Sequence, residues 1–141
     1  MEENPKVTGL GGVFITCENP ESQRQWYSEM LHMKSHEYGV SFAARKEDNP
    51  MHRTFSLLSF FQKNSPYLLP GKSTYMINFR VQQLEKLLEE LKAKGVEVCG
   101  EMEVFEYGKF AHIIDPEGNK IELWEANDEV MGEMNKDLWQ Y

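Results

Sequence analysis

The chain has 141 residues, 40% of them apolar and 12% aromatic, which is enough to build one packed domain. Its formal net charge of −8 argues against nucleic-acid binding, which needs a basic surface, and disfavours docking on anionic membranes. There is no apolar run near the roughly 18 residues of a membrane span and no signal-peptide pattern, so we expect a cytoplasmic protein. The spacing of Cys17 and Cys99 does not match a zinc site, so we expect both to be inert thiols.

The first half of the chain predicts a strand, a helix and two further strands. The segment 19–21, Asn-Pro-Glu, provides an N-cap, a proline at the first helical position and a favourable negative charge in the first turn. The helix that follows is expected to bury Trp26, Tyr27, Met30 and Leu31. The predicted strands of this half lie at 12–17, 38–45 and 54–62.

The second half predicts the same order of elements. A strand at 76–81 precedes four leucines whose spacing is typical of an amphipathic helix, namely Leu84, Leu87, Leu88 and Leu91. Gly95 ends that helix as its C′ residue. A strand at 96–102 and a hairpin at 109–125 follow, and the last residues, including Trp139, form a short helix or a tail.

A shift of 64 positions superimposes the pattern of 12–17 on that of 76–81, and each copy continues with a helix and strands. We therefore expect an α+β fold in which two tandem β-α-β-β-β modules form a single domain. The predicted boundaries are module one at about 10–62, a linker at 63–73, module two at about 74–126 and a C-terminal tail at 127–141.

Alternation along the strands assigns residues to the two faces of the sheet. In the second copy, Ile77, Phe79 and Val81 belong beneath the helix, because the helix must cover an apolar face. The opposite, mixed face carries Met76, Asn78 and Arg80, with Phe14 on the equivalent face of the first copy. A curled sheet with a mixed concave face forms a cup that can hold a small molecule.

The hairpin raises a specific question, because Glu122 is a carboxylate among apolar neighbours in a predicted strand. The turn at 115–118, Asp-Pro-Glu-Gly, is typical of a three-residue hairpin loop with a glycine bulge. Counting back from this turn places His112 opposite Glu122 and Phe110 opposite Trp124. We therefore expect His112 and Glu122 to be neighbours on the cup face, between aromatic walls.

Three segments together resemble one known family: "GGVFITCENPESQRQWYSEMLHM", "MINFRVQQLEKLLEELKAKGVEV" and "YGKFAHIIDPEGNKIELWEA". They cover most of residues 10–126, and the last is the most specific. The chain resembles the vicinal oxygen chelate superfamily, which includes glyoxalase I, extradiol dioxygenases, and fosfomycin- and bleomycin-resistance proteins. The resemblance implies two modules whose sheets form a cup, usually in a homodimer, with a divalent ion in the metal-using members.

The resemblance also implies four metal-ligand positions, which fall here at Gly12, about Ser59, Met76 and Glu122. Divalent ions need several nitrogen or oxygen ligands, and glycine and methionine do not supply them to nickel, zinc, manganese or iron. We therefore expect no cofactor at the usual site, with Glu122 its one retained position. A divalent metal elsewhere in the cup is possible.

The predicted His112–Glu122 pair admits three interpretations. It can be a structural pair in which the carboxylate holds a charged imidazole. It can be an acid–base pair, since imidazole titrates near neutral pH and the carboxylate orients it. It can also supply two ligands of a relocated metal site that is completed by His52 or by a ligand molecule.

The remaining candidates have alternatives of their own. Arg80 can clamp an anionic ligand group or simply pair with an acidic side chain, and the aromatic residues, including Tyr107, can stack on a planar ligand or only fill the sheet. His32 and His36 are expected at the surface, and Tyr38, Tyr67 and Tyr75 have no assignable role. The predicted ligand-binding residues are Phe14, Ser59, Met76, Asn78, Arg80, Phe110 and Trp124.

Three functions remain open at this point. The favoured one is a glyoxalase/bleomycin-resistance-like protein that binds a small molecule in an aromatic cup without the usual metal site. The alternative is a glyoxalase-type lyase or isomerase, or a dioxygenase, that uses a reduced or relocated metal site or the His112–Glu122 pair. A structural role, in which the cup closes in a dimer interface, is the third.

Overall fold

The computed structural model describes residues 4–136, in which there are eight strands, three α-helices and one short 3-10 helix. No helix within this range is long and apolar enough to cross a membrane. Their bounds in chain order are β1 Lys6–Cys17, α1 Pro20–Leu31, β2 Ser35–His36, β3 Gly39–Arg45, β4 Arg53–Gln62, the 3-10 helix Pro66–Leu68, β5 Tyr75–Gln82, α2 Leu84–Ala93, β6 Val98–Phe105, β7 Gly108–Ile114, β8 Lys120–Ala126 and α3 Asp128–Met134.

All eight strands belong to one curled, unclosed sheet with the order β2-β3-β4-β1-β5-β8-β7-β6. The first strand of each β-α-β-β-β unit pairs in parallel with the last strand of the same unit, so β1 lies beside β4 and β5 beside β8. The two units join through the antiparallel β1–β5 pair at the centre. The predicted α+β fold is confirmed. In the predicted tail, α3 is a short helix, whereas Trp139 lies outside the described residues.

Helix α2 follows the leucine pattern that predicted it. Leu84 and Leu88 are buried against Val81, Ala111 and Leu123, and they form the core on the outer face of module two. Burying a leucine side chain contributes about 1.5–3 kcal/mol. The helix ends at Ala93 with Lys94 as its C-cap, and Gly95 follows as the C′ residue, where its positive φ of 84° suits a residue without a Cβ atom.

Helix α1 starts as predicted but does not bury the predicted side chains. The Asn19 side chain accepts a hydrogen bond from the Ser22 N–H group at 3.1 Å, which caps the helix. The ring of Tyr27 contacts that of Phe60 on β4, at 5.1 Å between centroids. The expected burial was wrong for all four side chains, since none of them is fully buried and α1 packs on the sheet mainly through the partly buried Tyr27 ring. The side chains left about half exposed are Trp26, Met30 and Leu31.

Both cysteines are free thiols that are partly buried. The Sγ atom of Cys17 lies 3.7 Å from the carbonyl oxygen of Phe61. Burial raises the pKa of both the Cys17 and the Cys99 thiol, which keeps them protonated and unreactive near neutral pH. This environment agrees with the prediction of inert thiols.

Candidate functional site

The concave side of the sheet contains a cavity of about 530 Å³, here called the cup. Both modules contribute to its walls, the linker contributes Tyr67, and α3 contributes Met131 and Met134. Pockets of this volume, with mostly apolar walls and a few polar groups, are typical of small-molecule sites. The principal lining residues on the strands are Phe14, Leu57, Ser59, Phe61, Asn78, Phe110, Glu122 and Trp124.

Six of the nine residues predicted for the site line the cup, and three lie behind it. The six are Phe14, Ser59, Asn78, Phe110, Glu122 and Trp124. His112 is buried beside Glu122, and Met76 packs against Phe14 and Leu68 in a core cluster. Arg80 is held in an ion pair with Asp128.

Glu122 lies at the centre of a buried hydrogen-bond network. The predicted register is confirmed, because His112 is opposite Glu122 and Phe110 is opposite Trp124. Glu122 is only 1% exposed. Its Oε1 atom accepts a hydrogen bond from Asn78 Nδ2 at 2.6 Å, and its Oε2 atom accepts one from the Tyr67 hydroxyl group. His112 Nε2 lies 2.7 Å from the same Oε2 atom.

These contacts engage both oxygens of the Glu122 carboxylate. Hydrogen bonds to a buried carboxylate offset much of the cost of removing it from water. The network therefore holds one oriented negative charge at the floor of the cup. Asn78 also has an oxygen, Oδ1, that is buried without a hydrogen-bond partner among the described residues.

Tyr67 is a site residue that the sequence did not predict. It lies on the 3-10 helix of the linker, which begins where the Ser65 side chain accepts a hydrogen bond from the Tyr67 N–H group. Burial, together with the neighbouring Glu122 carboxylate, strongly raises the pKa of Tyr67, so its hydroxyl group remains a neutral donor. The Ser65-Pro66 pair signals only a turn, and nothing in the linker sequence indicates that this tyrosine reaches Glu122.

A second polar cluster lies at the module-one end of the cup, where His36 had been predicted at the surface. The Tyr38 N–H group donates to His36 Nδ1 at 3.2 Å, and His36 Nε2 lies 2.7 Å from Ser41 Oγ. Because Nδ1 accepts a hydrogen bond, Nε2 carries the proton and donates a hydrogen bond to Ser41 Oγ. The Ser59 hydroxyl group donates to the carbonyl oxygen of Tyr38 at 2.6 Å. This cluster leaves the Ser41 hydroxyl hydrogen free for another acceptor.

The His36 environment predicts a loss of stability in acid. Burial, reinforced by Arg24 and opposed by Glu37, lowers the pKa of His36 below the unfolded value of about 6.5. A histidine with a lowered folded pKa stabilises the fold above the unfolded pKa, and this contribution is lost as the pH falls. We expect urea titrations at pH 7.5 and 5.5 to show a smaller pH effect in His36→Gln than in the wild type. His32→Gln serves as the control, and equal pH effects in all three proteins would contradict the prediction.

Two stacked aromatic pairs form the apolar walls of the cup. In module one, Phe14 and Phe61 stack at 5.5 Å between ring centroids, with a 24° angle between the rings. In module two, Phe110 and Trp124 stack at 5.7 Å and 8°. Trp124 Nε1 donates to the carbonyl oxygen of Tyr107 at 3.1 Å, so the indole has no unsatisfied polar atom. The walls therefore offer flat apolar surface from both modules.

Strand β1 brings its backbone close to this network through an irregularity in its pairing with β5. The register shifts between Leu10 and Gly12, which places Gly11 against the Asn78 side chain. A Cβ atom at Gly11 would lie 1.9 Å from Asn78 Oδ1 and 3.2 Å from Trp124 Cε3. Only glycine at this position lets Asn78 keep its hydrogen bond to Glu122.

Arg80 is occupied by groups of the protein itself. Its Nη1 atom donates to the carbonyl oxygen of Phe55 at 3.1 Å, and its Nη2 atom pairs with Asp128 Oδ2. The guanidinium also lies over the Trp124 ring, 5.3 Å from the centroid. Of the two interpretations of Arg80, the geometry supports pairing with an acidic side chain.

The metal-ligand positions implied by the family do not fit a divalent ion. Gly12 has no donor atom, Ser59 donates to a backbone carbonyl, and the Met76 thioether is packed in the core. Both oxygens of Glu122 already accept hydrogen bonds. Across residues 4–136, no group of three or more His, Cys, Asp or Glu side chains is placed to hold a metal. The alternative site with His52 is not assembled, because His52 bonds Asp128 at 2.7 Å in a separate cavity.

Comparisons with known proteins identify the fold and the family. Methylmalonyl-CoA epimerase from Mycobacterium tuberculosis matches with a TM-score of 0.62 at 17% identity, covering 94% of this chain and 97% of its own. A variant of the Streptomyces coelicolor methylmalonyl-CoA epimerase in complex with 2-nitronate-propionyl-CoA matches with a TM-score of 0.64 at 13% identity, covering 86% and 96%. At such identities, these likenesses show the fold alone. No curated protein matches the chain.

The family assignment comes from the sequence itself. The profile described as "Glyoxalase/Bleomycin resistance protein/Dioxygenase superfamily" matches residues 9–123. The matched range begins in β1 and ends in β8, so it includes both modules and Glu122. This chain belongs to the glyoxalase/bleomycin resistance protein/dioxygenase superfamily, the vicinal oxygen chelate proteins.

Proposed function

We propose that this protein binds a small planar molecule in the cup and does so without a metal ion. One observation carries the proposal: the cavity combines two stacked aromatic pairs with a single buried, fully hydrogen-bonded carboxylate. The aromatic walls can bury the apolar surface of a ligand without fixing its orientation. Glu122 and its hydrogen-bond donors place one polar group at a fixed position at the end of the cavity. This division between apolar walls and a few fixed polar groups is what ligand pockets generally show.

The arrangement of Glu122 supports binding over acid–base catalysis. A general base needs a lone pair directed at the proton that it removes. Here the Oε2 atom accepts from Tyr67 and contacts His112, and the Oε1 atom accepts from Asn78. Because His112 does not line the cup, it would act only through Glu122.

Binding of N-phenyl-1-naphthylamine, a neutral aromatic fluorophore, tests the proposal. We expect saturable binding to the wild type and at least tenfold weaker binding to Phe110→Ala, because the substitution removes a wall of the cup and the stacking partner of Trp124. Phe42→Ala is the matched control, since Phe42 is exposed and does not line the cup. Fluorescence titration gives both affinities. Equal weakening in the two variants, or no binding to the wild type, would contradict the proposal.

Catalysed proton transfer at carbon is the second candidate, and the contact between His112 and Glu122 favours it. Methylmalonyl-CoA is a suitable probe, because the similar folds include its epimerase. The binding proposal predicts no deuterium incorporation into this thioester in D₂O above the rate without protein, measured by mass spectrometry. Incorporation that disappears in Glu122→Gln would establish catalysis instead.

We also propose that the protein is a homodimer. The exposed apolar side chains on α1, Trp26, Met30 and Leu31, support an interface with a second copy. Light scattering should then give twice the chain mass, and Trp26→Glu should shift it towards one chain mass. A single chain mass for the wild type at micromolar concentration would refute this part.

A further inference from the structure

The charged groups that line the cup are of one sign. Glu122 lies at its floor and Glu37 at its rim, and the described lining residues include neither lysine nor arginine. The remaining titratable base, His36, is kept neutral because burial lowers its pKa. The two carboxylates would therefore repel an anionic ligand, and no lysine or arginine of the described lining would offset the repulsion. A cationic ligand would be attracted by both carboxylates.

The aromatic walls present the same electrostatic preference. The faces of aromatic rings carry negative potential and attract cations within about 6 Å of the centroid. The protein uses this attraction itself, because Arg80 lies 5.3 Å from the Trp124 centroid and Lys120 Nζ lies 5.1 Å from that of Tyr67. Neither Arg80 nor Lys120 lines the cup. Both contacts are therefore made from outside the cup, and neither involves the lining rings of Phe14, Phe61 or Phe110.

Glu122 has no lysine or arginine among its hydrogen-bond and ion-pair partners within residues 4–136. Its ion-pair contact within residues 4–136 is with His112, and its other partners are the neutral Asn78 amide and Tyr67 hydroxyl groups. A buried carboxylate attracts a cation in a nearby low-dielectric cavity more strongly than a surface carboxylate does. The cup therefore has aromatic faces around it and a fixed negative charge at one end.

We propose that the ligand is a planar organic cation with a delocalised charge, held by the ring faces and by the Glu122 and Glu37 carboxylates. This inference rests on the proposed binding function and names the chemical class of the ligand. A delocalised charge suits the cup better than a compact ammonium, because a weakly hydrated cation loses less on leaving water. The two stacked aromatic pairs accommodate its planar shape.

A matched pair of probes tests the class of ligand in the wild-type protein. N-methylacridinium is a permanent cation, and acridine at pH 8 is its neutral counterpart of nearly the same size and shape. We expect N-methylacridinium to bind at least tenfold more tightly, with the preference decreasing as salt is added. Equal affinities, or tighter binding of acridine, would overturn the inference without the use of any variant.

Variants identify the origin of the preference. Glu122→Gln should reduce the ratio of the two affinities at least fivefold, and Glu37→Gln should reduce it by a smaller factor, because Glu37 is exposed at the rim. Glu117→Gln in the hairpin turn is the matched control and should leave the ratio unchanged. Circular dichroism checks that each variant is folded. If folded Glu122→Gln has the same ratio of affinities as the wild type, Glu122 is not the origin of the preference for the cation, and the proposal is contradicted.

The outcomes separate this inference from the proposed function. If acridine and N-phenyl-1-naphthylamine bind but N-methylacridinium does not, the cup is a site for neutral ligands and only the cation inference fails. If none of the three probes binds, the proposed function fails, and the inference fails with it.

Discussion

Replacement of Glu122 by alanine should lower the free energy of unfolding by about 3–5 kcal/mol, because three buried donors lose their shared acceptor and each such loss costs at least about 1 kcal/mol. The substitution leaves Asn78 Nδ2, the Tyr67 hydroxyl group and His112 Nε2 without the acceptor that they share. Each unsatisfied buried donor retains the cost of its removal from water. Urea unfolding followed by tryptophan fluorescence measures the change.

The neighbouring turn provides the control for this experiment. Glu117→Ala removes an exposed carboxylate from the same hairpin and should change stability by less than about 0.5 kcal/mol. Tyr67→Phe removes one of the three donors and leaves the carboxylate, so its effect should be about 1 kcal/mol. If Glu122→Ala costs no more than Tyr67→Phe, the network at the floor of the cup does not stabilise the fold as described.

Replacement of Asp128 by alanine should cost about 3 kcal/mol, because it leaves the Arg80 guanidinium without its ionic partner. The side chains of Arg80 and Asp128 are each 12% exposed, and His52 Nε2 contacts the same carboxylate oxygen at 2.7 Å. Asp128 is also the first residue of α3, where a negative charge stabilises the helix. Since Met131 and Met134 of α3 line the cup, Asp128→Ala should also weaken the binding of N-phenyl-1-naphthylamine.

A double-mutant cycle isolates the pair from these other effects. With Arg80→Met and Asp128→Ala made singly and together, the coupling free energy should exceed about 1.5 kcal/mol, because the two groups share one buried contact. Glu129→Ala is the control, since Glu129 is the next residue of α3 and is exposed. Additive effects of the two substitutions would show that Arg80 is stabilised mainly by the Phe55 carbonyl group and the Trp124 ring.

The sequence predicted those features that depend on short-range patterns. The turn at 115–118 determines the hairpin register, so the contact between His112 and Glu122 followed from counting residues back from a glycine. The leucine spacing of α2 and the cap at Asn19 are local in the same sense. The repeat of the module pattern, together with the family resemblance, was sufficient for the α+β fold.

The predictions that failed concern side chains whose positions depend on contacts between distant parts of the chain. The burial predicted for α1 assumed that every apolar face packs on the sheet, but how much of a helix touches the sheet depends on where the helix lies. Arg80 could be placed on a face by alternation, yet its partner, Asp128, is 48 residues away. The shift near Gly11 is a property of the β1–β5 pairing, which joins the two modules.

The sequence by itself indicated the family through its resemblance to known members. It also predicted the two modules, the hairpin and the pairing of His112 with Glu122, because these depend on side-chain periodicity and turn residues over short stretches. The tertiary structure alone decided that Tyr67 donates to Glu122, that the partly buried His36 contacts Ser41, and that Asp128 at the start of α3 pairs with Arg80. The contacts of Tyr67 and Asp128 join segments that are far apart in the chain, and no repeating pattern in the sequence indicates that they meet. Their geometry arises only when the curled sheet brings the linker, the rim and the last helix around one cavity.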